Sequence, residues 1–376
     1  MTNEQLLYAL IRIIVYVILF YFGYKISRKK GVVCMKMFAI PIIIVTLGEG
    51  LRWGRGIDYN VYYYTYNEIR DAIDLGGWEP FFFCLMKLFN WFDMPWQAPV
   101  LFFSFFLVYS YVRYLKEYRD ILMFTLPLFF YNTLMAENLM RWYLAFSVIL
   151  ISLHYLLDGR WKVFVICGFI ATGFHYMIVL IWLPMLLISN IKKPFLKPSI
   201  AVSIFIGSFL VSEFAFQHFS FITDILVVSE RFESYRTGFM DWMTEEKETE
   251  YKMSIDHTVA NILAIVAGYR MCNKGENIRL TKIYNIFLMG VLVGPFLCKA
   301  ELTTRIYLLY FVFHVIFVSN LLYERFVLKH KIPRVELLLL TLYILAMVRI
   351  VSYDLFYSKQ DNVLFIWDAN GRDVLM

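Results

Sequence analysis

The sequence predicts an all-α polytopic membrane protein of about twelve membrane segments, and three observations carry that prediction. The 376 residues are 60% hydrophobic and 19% aromatic, a composition that excludes a soluble globular protein. Lys and Arg stand in every short loop assigned to the inside, while nearly all Asp and Glu fall in the loops assigned outside. The stretch from Lys162 to Lys192 is too long for one span, too short for two, and basic at both ends. Basic flanks return both ends to the cytoplasm, so this stretch reads as two half-length helices turning at Gly173-Phe174-His175. A polar turn at membrane depth requires protein or trapped water around its backbone, which places His175 in a cavity.

The first apolar run, Leu6 to Tyr24, has the length of a full span and lacks a small-residue cleavage site, so it reads as a retained helix. Lys25 to Lys30 is the densest basic cluster and sets that loop inside and the N-terminus outside. A second span, Val33 to Leu47, leads to an outer loop over about residues 48–97. Within it the run Phe81 to Phe92 is too short to cross and reads as a helix at the interface. Further spans follow over Pro99–Leu115, Ile121–Ala136 and Leu139–Leu157, then the broken pair, then Ile200–Phe219. A second outer loop, about residues 220–256, ends in an acidic run that reads as a solvated face. Spans nine to eleven carry the chain to Arg334, and Val335–Val351 completes a transmembrane domain over residues 1–352. An outer tail, residues 353–376, follows, so both termini are expected outside.

The net charge of +6 is spread over helix ends and gives no nucleic-acid signal. The five cysteines are scattered through apolar runs without ligand spacing and read as small core residues. No phosphate-binding glycine loop, zinc-protease motif or Asp-x-Asp pair is present, so neither a metal nor another cofactor is expected.

On the predicted outer side Arg52, Arg55, Asp58, Glu79, Arg141 and Arg305 stand at span ends, with His175 below them. Ionisable side chains within membrane segments mark functional sites by default. An arginine fork matches the oxygens of a phosphate, and four such forks on one face suit a lipid-linked diphosphate. The ordinary pKa of histidine lies near neutrality, which fits His175 for general acid or base work. The rings of Trp53, Tyr59, Tyr62, Tyr63, Trp78 and Trp142 could stack on sugars, although Trp and Tyr belts also line both interfaces of membrane proteins. In the second outer loop the segment around Tyr235 is a further candidate for substrate contact.

Gly50-Leu51-Arg52, Gly56-Ile57-Asp58-Tyr59 with Tyr62, Glu79-Pro80 with Phe82, Asn138 and Arg141 with Ala145, Phe174-His175, and Arg305 with Tyr307 occur in that order. In these landmarks the chain resembles the EpsG family, Wzy-like membrane proteins of bacterial exopolysaccharide and capsule synthesis. The resemblance implies a glycosyltransferase in the cytoplasmic membrane that polymerises undecaprenyl-diphosphate-linked oligosaccharide repeat units on the extracytoplasmic face, and the missing ligand clusters make it metal-independent. It implies that Arg52, Asp58, Arg141, His175 and Arg305, with Glu79 and the landmark Asn138, form the functional set. With Arg55 and Tyr235 added from the outer charges and the second outer loop, the expected catalytic residues are Arg141, His175 and Asp58, and the expected substrate contacts are Arg52, Arg55, Glu79, Asn138, Tyr235 and Arg305. A flippase and a chain-length regulator of the same route would be its partners, besides the bilayer. Two departures stand out: Trp142 follows Arg141 where the family usually has Gln, and the tail lacks the family's late Pro-Tyr landmark. The rival readings are a transporter or flippase of lipid-linked glycans, which also uses broken helices, and a membrane acyltransferase with a buried histidine.

Overall fold

A computed structural model describes residues 3–54, 58–70, 78–132, 139–218, 253–274, 277–299 and 301–357. The described residues form helices and connecting turns, with no β-strand among them. In chain order the α-helices are α1 (Asn3–Ser27), α2 (Ala39–Gly50), α3 (Tyr59–Glu68), α4 (Pro80–Trp91), α5 (Gln97–Leu115) and α6 (Leu122–Asn132). They continue as α7 (Met140–Leu157), α8 (Trp161–Phe174), α9 (Val179–Ile188), α10 (Pro198–His218), α11 (Ile255–Lys274) and α12 (Ile278–Leu292). The last are α13 (Gly294–Leu297), α14 (Glu301–Phe311), α15 (His314–Leu322) and α16 (Arg334–Tyr357).

Among the described residues five segments are long and apolar enough to cross a membrane: Leu6–Ser27, Gln97–Leu115, Met140–Leu157, Thr303–Val327 and Arg334–Ser352. Trp161–Phe174, Tyr176–Ile188 and Pro198–Ser212 are shorter apolar helices. This is the pattern of a multi-pass membrane protein.

The described residues form two compact units, one holding those within 1–186, 319–332 and 344–357, the other those within 187–318 and 333–343. In the first, α7 is the central helix. It packs against both α5 and α8. Ala145, Phe146, Ile149 and Leu153 along it have no exposed surface, as expected of a helix apolar all round. Around this centre α1 packs on α6 and α2 packs on α5. A Cβ at Gly23 of α1 would run into the Leu122 carbonyl, so only glycine lets these two backbones approach so closely.

The stretch after α8 turns at His175, between two short helices, where the sequence places the turn. His175 leaves the helix in an extended conformation (φ −159, ψ 117), a single 3-10 turn follows, and α9 runs back along α8. Trp182 fixes the reversal: its indole donates to the Thr172 hydroxyl at 3.1 Å, and its ring fills the space a side chain would take at Gly168. In an uninterrupted helix residues 168 and 182 would stand roughly 20 Å apart, so these contacts require a hairpin.

In the second unit α12 is wholly buried over Ile283, Ile286, Phe287 and Val291. Asn285 on this helix donates to the carbonyls of Ile191 and Lys193 and accepts from the Phe195 amide, tying the basic loop before α10 to the unit's core. A buried amide that satisfies loop backbone in this way is one of the few polar groups an apolar interior tolerates. An ion pair between Arg270 of α11 and Glu336, at the start of α16, closes the same unit at 2.8 Å.

Candidate functional site

The site is built from three helix ends of the first unit. Glu79 is the N-cap of α4, in extended conformation, and Pro80 after it has the backbone angle that starts a helix. Trp78 and Phe82 lie beside it with ring centroids 5.1 Å apart, and Tyr62 packs on both. These rings bury the carboxylate, leaving Glu79 2% exposed.

Arg141 stands in the first turn of α7, the end of a helix at which a cation is unfavourable. Glu79 compensates it: Arg141 donates to Oε2 of Glu79 at 2.7 Å, and its Nε donates to the Tyr62 hydroxyl at 3.2 Å. The guanidinium also lies over the rings of Tyr62 and Phe82, at 5.8 and 5.9 Å. His175, at the turn between α8 and α9, places Nδ1 2.5 Å from the other carboxylate oxygen, Oε1. Its ring meets Trp142 edge to face at 4.6 Å, so the residue that departs from the family pattern packs the histidine in place. The Tyr176 amide donates to the same carboxylate oxygen.

One carboxylate therefore holds an arginine and a histidine from two other helices. Burial alone raises the Glu79 carboxyl, but the hydrogen bond and charge of His175, with the charge of Arg141, outweigh it and hold the group below its ordinary range. Burial raises the Tyr62 phenol, and the charge and hydrogen bond of Arg141 offset part of that rise. With Nδ1–H donated to Glu79, the accepting nitrogen of a neutral His175 ring is Nε2. Arg141 reaches the surface most, its side chain 22% exposed against 3% for Glu79.

The other sequence candidates are placed differently. Glu79, expected to contact substrate, directs both oxygens at protein groups, and it is 2% exposed. Arg52 is 3% exposed and donates to the Glu49 carbonyl at 3.0 Å, so its guanidinium braces the end of α2. Asp58 stands at the N-cap position of α3 without a side-chain cap hydrogen bond, and its charge acts on Tyr62. Arg305 lies half-buried on α14 in the second unit. Arg55, Asn138 and Tyr235 lie outside the described residues. Among the rings expected to stack on sugars, Tyr59, Tyr62, Trp78 and Trp142 are buried at 6% exposure or less, taken up by packing.

A second polar cluster was not expected. Arg12 on α1 and Glu49 on α2 form an ion pair at 2.9 Å with both side chains 5% exposed, and the Tyr8 hydroxyl accepts from Arg12 Nε. The signal was present, since an arginine inside one apolar run and a glutamate closing the next call for each other.

A family model described as the EpsG family matches residues 35–362, most of the chain. The chain belongs to the EpsG family. The match takes in Glu79, Arg141 and His175 and leaves out Arg12. No curated protein and no solved structure matches. EpsG membership, together with the apolar helices, makes this a membrane protein of polysaccharide biosynthesis.

Proposed function

We propose that this chain is a Wzy-like polymerase joining undecaprenyl-diphosphate-linked oligosaccharide repeat units on the extracytoplasmic face of the bacterial cytoplasmic membrane. The observation that carries the reading is the Glu79 carboxylate shared by His175 and Arg141, in a chain of the EpsG family.

The reaction forms a bond between the anomeric carbon of one unit and a hydroxyl oxygen of another, and breaks the bond from that carbon to the lipid diphosphate. His175 accepts the hydroxyl proton at Nε2, with Glu79 setting the tautomer and favouring the imidazolium that forms, as a buried carboxylate does for a catalytic histidine in acyl transfer. Arg141 meets the negative charge developing on the diphosphate oxygens, where a preorganised donor acts most strongly. The proton rests on His175 until the departing diphosphate or water takes it. No step in this scheme requires a metal ion.

The test is incubation of the purified protein with synthetic lipid-linked repeat units, read as a ladder of products that persists in chelator. Arg141→Lys keeps the charge but loses the fork, so its rate should fall nearly as far as that of Arg141→Ala, roughly a hundredfold or more. In cells lacking the native protein, His175→Ala should leave single lipid-linked units on the outer face. Their accumulation on the cytoplasmic face would make the protein a transporter of these units and end the polymerase reading.

A further inference from the structure

Burial separates the aromatic residues around the site into two sets. Tyr59 and Trp96 are buried at 0% and 4% exposure. Trp53 and Tyr63 are half-buried, and Tyr64 is 45% exposed. These last three rings form one strip: Trp53 and Tyr63 lie 5.8 Å apart at 68°, and Tyr63 and Tyr64 lie 5.5 Å apart at 70°. Neighbouring rings meeting near a right angle form a corner that presents ring faces and ring edges together. The strip is backed by the buried pair, with Tyr59 6.2 Å from Trp53 and Trp96 6.2 Å from Tyr63. Packing from behind restricts the rotamers, so the outward faces are preorganised.

Two rings of the strip share helix α3 with a residue of the site. Tyr63 follows Tyr62, whose hydroxyl accepts the hydrogen bond from Arg141. The helix that carries them, α3, has ten residues, too few to cross a membrane. Asn67 and Glu68 stand one turn on from Tyr63 and Tyr64, which at helical spacing sets an amide and a carboxylate beside the rings, and both are exposed.

Resting on the polymerase reading, we propose that Trp53, Tyr63 and Tyr64 form a saccharide subsite, holding sugar residues of a repeat unit adjacent to the one that reacts at His175. A pyranose ring has an apolar C–H face and a rim of hydroxyls. Flat aromatic faces meet the first, and tyrosine hydroxyls with the neighbouring amide and carboxylate meet the second. A lipid tail would be matched by aliphatic side chains without this polar rim.

The experiment uses the full-length protein in lipid nanodiscs. The probe is the free oligosaccharide released by mild acid from the host cell's own lipid-linked repeat units, with binding read by saturation-transfer NMR. The variants are Trp53→Leu with Tyr63→Leu, which keep apolar bulk and lose the flat faces, and Trp53→Phe with Tyr63→Phe, which keep a ring. The wild type and the Phe pair should bind the glycan, and the Leu pair should lose it with its thermal midpoint unchanged. In the polymerisation assay the Leu pair should raise KM about tenfold and leave kcat close to wild type, the signature of lost uniform binding. Equal binding by wild type and the Leu pair, or a lower kcat at constant KM, would overturn the subsite and leave the polymerase reading standing. A wild type that neither binds the glycan nor makes polymer would overturn both.

Discussion

Glu79 accepts a hydrogen bond from Nδ1 of His175 at 2.5 Å across 96 residues of sequence, and this contact sets which ring nitrogen can take a proton. Glu79→Gln keeps the shape of the side chain and removes its charge. Its kcat should fall roughly a hundredfold or more, because the imidazolium formed in the reaction loses its counter-charge. A merely structural role for Glu79 would lower the amount of folded protein and leave the kcat of what remains unchanged.

Stability should respond to acid through the same carboxyl. Its folded pKa is depressed, so its contribution is complete above the unfolded value, roughly 4.3, and is lost as the pH falls through the lower folded value. Thermal unfolding in detergent should show the wild type above Glu79→Gln near neutrality, with the gap closing as the solution is acidified below about pH 4. A gap that stays constant with pH would mean that the carboxylate charge contributes nothing to folding.

Arg12 and Glu49 form a buried pair, so removing one partner takes a close counter-charge from the other in a site with little solvent. Arg12→Leu should cost about 3–5 kcal/mol, while Arg12→Leu with Glu49→Leu should recover most of it. Unfolding of the single and double variants in mixed micelles measures both. Additive losses would show that the two residues act independently.

The hairpin around His175 depends on the close approach of Trp182 to Gly168, where a Cβ would lie 2.6 Å from the indole. Gly168→Val should destabilise the protein by about 1–3 kcal/mol and reduce activity further by shifting His175 away from Glu79. Gly168→Val combined with Trp182→Ala should regain stability. Wild-type activity in the single variant would show that the packing of α8 on α9 does not position the histidine.

The lengths of the apolar runs and the lysines and arginines between them already determine the all-helical membrane class. The same local features mark the two half-length helices turning at His175 and single out Arg141 and His175, because hydropathy and flanking charge are read within one segment. The roles of Glu79, Arg12 and the aromatic residues were decided by tertiary packing. Glu79 stands 62 residues from Arg141 and 96 from His175, and no periodicity within a window records partners so distant. Packing of α7 on α8 and of α4 on α8 brings the three helix ends together. It also decides which rings face inward: Tyr62 and Tyr63 are neighbours in sequence and alike in chemistry, but a rotation of about 100° per residue on α3 buries one against Arg141 and leaves the other half in the open.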